Sequence, residues 1–157
     1  MILVAGIGNI FFGDDAFGSE VARRLWSRDL PEGVRVVDFG IRGIDLVYAL
    51  LDGHDTVIIV DAAPRGGPPG TLYVIEPDLN QVEPTGLEAH SMDLMRVLAL
   101  ARNMGAELHR VRIVGCEPES LGSQEEGRMG LSPPVNAALD EAIGIIESLI
   151  QEALVRT

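Results

Sequence analysis

The stretch GIGNIFFGDDAFG, residues 6–18, follows directly on the apolar run ILVA at residues 2–5. A hydrophobic run with no polar interruption is what a strand covered on both faces of a sheet requires. Beyond the stretch, Phe17, Val21 and Leu25 recur at helical spacing while Glu20, Arg23 and Arg24 fall on the other side. The glycine-rich segment therefore joins a buried strand to an amphipathic helix. Two readings of it compete. The glycines either cradle the phosphates of a nucleotide, or they bend a turn that aims the paired carboxylates Asp14 and Asp15 at something positive.

The rest of the chain repeats this alternation. Residues 34–39 read as a second strand and residues 44–51 as a short helix between Gly43 and Gly53. Residues 56–61, TVIIVD, give a third strand, again almost wholly apolar. Residues 71–76 differ, because only the loop AAPRGGPPG at 62–70 separates them from the third strand. Nine residues rich in Gly and Pro cannot form a helical crossover, so this strand is expected to run antiparallel, at or near an edge. A polar linker at 77–89 leads to a helix over about 91–103, and residues 110–116 form the fifth strand. Ser132 and Pro133 then open one last helix, with Val135, Leu139, Ile143, Ile146 and Ile150 on its apolar face. The expectation is a three-layer α/β/α sandwich in one domain, residues 1–157, around a twisted, mostly parallel five-stranded sheet with one antiparallel strand.

Composition removes several classes of function. The formal net charge is −12, and all 12 basic side chains are arginine. With that excess of acid the chain repels a phosphate backbone, so neither nucleic acid nor an anionic membrane is expected as partner. A P-loop needs a lysine after its glycines, and a response-regulator receiver needs one after its fifth strand. Neither fits a chain without lysine. The single cysteine, Cys116, allows no internal disulfide and reads as a small buried hydrophobe. No apolar run reaches membrane-spanning length, and the start of the chain lacks the basic region of a signal peptide. The chain is expected to be cytoplasmic.

The dinucleotide reading of the opening stretch has Gly6 and Gly8 in its favour, with Asp38 where a ribose-binding acid would stand. Against it, Phe11 occupies the third glycine position, and Asp14 and Asp15 would repel a pyrophosphate. The carboxylate reading fits better. In a doubly wound sheet ligands sit beyond the carboxyl ends of the strands, where adjacent strands diverge. Asp15 follows the first strand and Asp61 closes the third, so the two can converge, and His90 precedes a helix that could bring it over the same edge. Two carboxylates and an imidazole suit a divalent transition metal with open positions. Asp14 is assigned to capping the first helix, and His54 and His109 read as solvated loop residues.

Taken in order, these residues resemble the hydrogenase maturation endopeptidases, which trim the C-terminal extension of the nickel–iron hydrogenase large subunit. The resemblance runs through Gly6-Ile-Gly-Asn9, Asp14-Asp15 with Gly18, Val60-Asp61-Ala62, Pro69-Gly70-Thr71, His90, Gly115-Cys-Glu-Pro-Glu-Ser120 and Gly130-Leu-Ser-Pro133. It implies metal contacts at Asp15, Asp61 and His90, the residues already singled out. It also implies a substrate-selecting loop at Asp38, Gly40 and Gly43, although the family more often has Gly-Gly-Thr there.

The metal so implied is nickel carried by the hydrogenase large-subunit precursor, with none held tightly by the free enzyme. Asp15, Asp61, Asp38 or the metal itself would activate water, and the sequence leaves that choice open. Two alternatives stand beside the protease: a protein that holds the hydrogenase subunit without cutting it, and a dinucleotide-binding protein.

Overall fold

The computed structural model describes residues 1–79, 93–119 and 130–156. Its centre is a five-stranded sheet in the order β2-β1-β3-β5-β4. The strands are β1 (Ile2–Ile7), β2 (Val34–Gly40), β3 (Thr56–Ala62), β4 (Leu72–Ile75) and β5 (Val111–Cys116). All neighbours are parallel except β4, which runs antiparallel to β5 at the edge.

Alternation along the central strands fills two cores. Ile2 and Val4 of β1, with Ile58 and Val60 of β3, pack with Phe17, Val21, Leu25, Ile143 and Ile146. Leu3, Ala5 and Ile7, with Val57 and Ile59, pack instead with Leu46, Leu50, Leu98 and Ala101. Successive side chains of a strand point to opposite faces, so these runs must be apolar at every position to feed both layers. One layer holds α1 (Phe17–Trp26), α4 (Pro133–Ala137) and α5 (Leu139–Val155). The other holds α2 (Gly43–Leu51) and α3 (Leu94–Asn103). The α/β/α sandwich expected from the sequence is the fold.

One detail differs from expectation. The last helix is interrupted at Ala138, so Pro133 and Val135 belong to a one-turn α4 and the long apolar face to α5. The apolar spacing runs unbroken across the joint, so it could not reveal the break. Most of the 77–89 linker, His90, and residues 120–129 of the charged segment after β5 lie outside the described residues. Among the described residues no helix is long and apolar enough to cross a membrane.

Candidate active site

Strands β1 and β3 are parallel neighbours with Gly6 opposite Val60, so the chain leaves both at the same edge of the sheet. After β1 it passes through a tight loop into a single 3-10 turn, Gly13–Ala16, and then directly into α1. Two glycines permit this path. A Cβ on Gly8 would overlap the carbonyl oxygen of Asp15, and one on Gly18 would overlap those of Val60 and Ile7. The opening stretch is therefore glycine-rich because backbone packs on backbone there. Asp15 comes to rest buried, its Oδ2 accepting the backbone N–H of Asn9 at 3.0 Å.

Asp61 stands near the end of β3, opposite Gly115 of β5. Its Oδ1 accepts the N–H of Ala62 at 2.8 Å. Burial raises the pKa of Asp15, with the Asn9 hydrogen bond opposing the rise. Burial also pushes Asp61 well above the usual carboxylate range, and the charge of Asp15 adds to that shift. The structure thus brings Asp15 and Asp61 into mutual repulsion. Among the described residues neither carboxylate has an ion-pair partner. A carboxylate pair of this kind favours either a shared proton or a cation. Among the described residues no third His, Cys, Asp or Glu completes a metal-binding group with them. His90, the third ligand expected from the sequence, lies outside the described residues.

Asp14 does not cap α1, which has no side-chain cap. Its carboxylate turns away and takes the N–H of Ser132 at 2.7 Å on Oδ1. On Oδ2 it takes the Ser132 hydroxyl at 2.7 Å and the N–H of Glu119 at 2.8 Å. Ser132 does occupy the N-cap position of α4, but its hydroxyl serves Asp14 and makes no cap bond. The helix-cap preference of an acid in a first turn was a sound local argument, and a tertiary partner 118 residues away overrides it.

A further buried acid carries no signal of its burial in the sequence. Glu117, 4% exposed, follows β5. Its Oε1 accepts the N–H groups of Arg65 and Gly67, both at 2.9 Å, and the hydroxyl of Tyr73 at 2.8 Å. These donors hold its pKa below the ordinary glutamate value despite the cost of burial. Glu117 thereby shapes the Gly/Pro loop that leaves Asp61, and Arg65 lies over the Tyr73 ring, 5.6 Å from its centroid. Cys116, between the two clusters, is buried. Desolvation, then the charges of Asp14 and Glu117, raise its thiol to about 12, which leaves no thiolate to act as a nucleophile.

The candidate selection loop sits beside this centre at the end of β2. Asp38 Oδ1 accepts from the Ser19 hydroxyl at 2.8 Å and the Gly40 N–H at 3.0 Å, and Arg23 approaches Oδ2 at 3.8 Å. Gly40 has φ +58° and Gly43 begins α2. His109 is exposed as expected. His54 is not: it is 7% exposed, at the opposite end of β3, and among the described residues its Nδ1 has no hydrogen-bond partner.

Fold and site together define an α/β/α protein whose sheet edge carries a carboxylate pair suited to a cation or to acid–base chemistry. Comparison with known proteins narrows this. The family model described as hydrogenase maturation protease (HycI) matches residues 19–149. The chain is 30% identical over 155 residues to the hydrogenase 2 maturation protease of Escherichia coli K12, covering 97% of this chain and 92% of that one. It is 32% identical over 152 residues to the coenzyme F420 hydrogenase subunit delta of Methanothermobacter thermautotrophicus, covering 92% and 91%. The solved hydrogenase maturating endopeptidase HybD of E. coli superposes with a TM-score of 0.83 at 30% identity, over 97% of this chain and 93% of that one. The chain belongs to the hydrogenase maturation protease family and is a peptidase.

Proposed function

We propose that this peptidase removes the C-terminal extension of a nickel–iron hydrogenase large-subunit precursor, and that it recognises the precursor by nickel already bound there. The observation that carries the reading is the Asp15–Asp61 pair: one carboxylate from the turn after β1 and one from the adjacent strand β3, both raised in pKa, with no ion-pair partner among the described residues. A cation delivered by the substrate would relieve that repulsion. A precursor lacking nickel brings no such relief.

In this reading Asp15, Asp61 and His90 occupy nickel positions that the precursor's own thiolates leave open, since oxygen and imidazole donors suit such a site. Docking sets the scissile bond against the carboxylate edge, and positioning of this kind supplies up to about 7–11 kcal/mol of a rate enhancement. Hydrolysis then follows an aspartyl-type route. A carboxylate takes a proton from the attacking water, the C–N bond breaks, and the leaving amine receives that proton. Beside the turn, a cleft of about 320 Å³ lined by Ile10, Ala16, Glu20, Arg23, Leu131 and Asn136 offers room for part of the extension. Asp38, Gly40 and Gly43 are assigned to choosing among precursors, and the reaction to the cytoplasm.

Mass spectrometry of the precursor, nickel-loaded and nickel-free, tests this directly. Release of a C-terminal peptide from the loaded form alone, lost in Asp15→Asn and His90→Ala, is the expected result. A loaded cognate precursor that stays intact would sink the reading and leave a subunit holder in its place.

A further inference from the structure

Asp14 is the most deeply buried of the acids around the site, at 2% exposure. Nothing in the cleavage chemistry calls on it. Both of its oxygens are engaged, and among the described residues the donors come from the far side of the sequence: Glu119 after β5 and Ser132 at the start of α4. Asp14 shares one four-residue turn with Asp15, and that turn has no side-chain cap at its own start. The orientation of the turn is fixed from one side by Asn9 holding Asp15, and from the other by Glu119 and Ser132 holding Asp14.

We propose that Asp14 is a positioning residue for cleavage: by hydrogen-bonding Glu119 and Ser132 it locks the turn so that Asp15 faces Asp61. The inference rests on the cleavage reaction proposed above. It requires a carboxylate in particular. The backbone N–H of Ser132 is bound to Oδ1 and that of Glu119 to Oδ2. An asparagine, whichever way its amide is turned, offers one oxygen and sets its NH₂ against the other N–H. One backbone donor, buried at Ser132 or half-buried at Glu119, then loses its acceptor, and the turn shifts to satisfy it. The hydroxyl of Ser132 is less critical, because its loss leaves both backbone bonds in place.

The test measures cleavage of nickel-loaded precursor by the full chain, its Asp14→Asn and Ser132→Ala variants, and Asp15→Asn. Rates are taken over a range of precursor concentrations, at a temperature where melting curves show each variant folded. Asp14→Asn is expected to lose about 100-fold in kcat, the scale of loss from a displacement near 1 Å, while KM stays within about threefold. A folded Asp14→Asn with wild-type kcat overturns the inference, and so does a loss confined to KM, which would make Asp14 part of the binding surface. If Asp14→Asn does not fold, Ser132→Ala decides: about a fivefold fall in kcat at unchanged KM supports the inference, and an unchanged kcat overturns it. Wild-type protein that leaves the loaded precursor intact overturns the cleavage reading itself, and this inference with it. Cleavage by wild type together with full activity in Asp14→Asn overturns the inference alone.

Discussion

Tyr73, on the edge strand β4, donates a 2.8 Å hydrogen bond to Glu117 at the end of β5, and the acceptor is the same Oε1 that holds Arg65 and Gly67. One oxygen therefore does the work. A glutamine can place its carbonyl oxygen there and keep all three donors satisfied. Glu117→Gln is expected to retain most stability and activity. Glu117→Ala leaves three half-buried donors without their acceptor, and a fall in Tm of about 3–6 °C is expected. Differential scanning fluorimetry of the two variants decides the matter, and equal Tm values for both would show that the loop does not depend on this acceptor.

The repulsion between Asp15 and Asp61 is a cost that the fold carries for the site. Neutralising one partner should relieve it. Asp61→Asn is expected to raise Tm by about 2–6 °C while cleavage falls by at least about 100-fold, the trade of stability against activity seen where a site holds like charges together. A thermal melt in metal-free buffer, paired with an assay on the precursor, reads both. Destabilisation by Asp61→Asn would mean that its hydrogen bond to Ala62 outweighs the repulsion.

The parts of this molecule that sequence could reveal are those governed by local pattern. The strands β1 and β3 were legible because both faces are buried along most of their length and nearly every position is apolar. The antiparallel β4 was legible because the nine-residue loop before it is too short and too rich in proline for a crossover. The convergence of Asp15 and Asp61 followed from the topology, since adjacent parallel strands end on the same side of the sheet. What escaped depends on partners distant in sequence. Asp14 looks like a helix cap until Ser132 is placed beside it, and Glu117 looks like part of a charged loop until the loop at 63–70 folds over it. His54 lies between Gly53 and Asp55, a setting that reads as solvated. Only its packing at the start of β3 buries it.

Cys116 gives a prediction about reactivity. With the thiol raised to about 12 by burial and by Asp14 and Glu117, almost no thiolate exists near neutral pH. Iodoacetamide is expected to leave the native protein unlabelled and to modify it fully in denaturant, as judged by intact mass. Cys116→Ala should keep kcat within about threefold of wild type, with a modest loss of stability from the vacated volume. Rapid native labelling that abolishes cleavage would return Cys116 to the list of nucleophiles.

His54 makes the stability of the protein depend on pH from the end of the sheet opposite the site. Burial pushes its pKa below the ordinary 6.5, Arg35 and the amino terminus push the same way, and Asp52 and Asp55 pull back only in part. The unfolded chain therefore binds a proton at this position before the folded protein does. Stability from the neutral imidazole is present above pH 6.5 and drains away as pH falls below it toward the depressed folded value. His54→Leu removes the titrating group, and with it the buried Nδ1 that has no hydrogen-bond partner among the described residues. Between about pH 7.5 and pH 5 the variant should lose about 2–4 °C less in Tm than wild type does. If the two proteins lose Tm in parallel over that interval, the buried imidazole contributes nothing to the acid side of the curve.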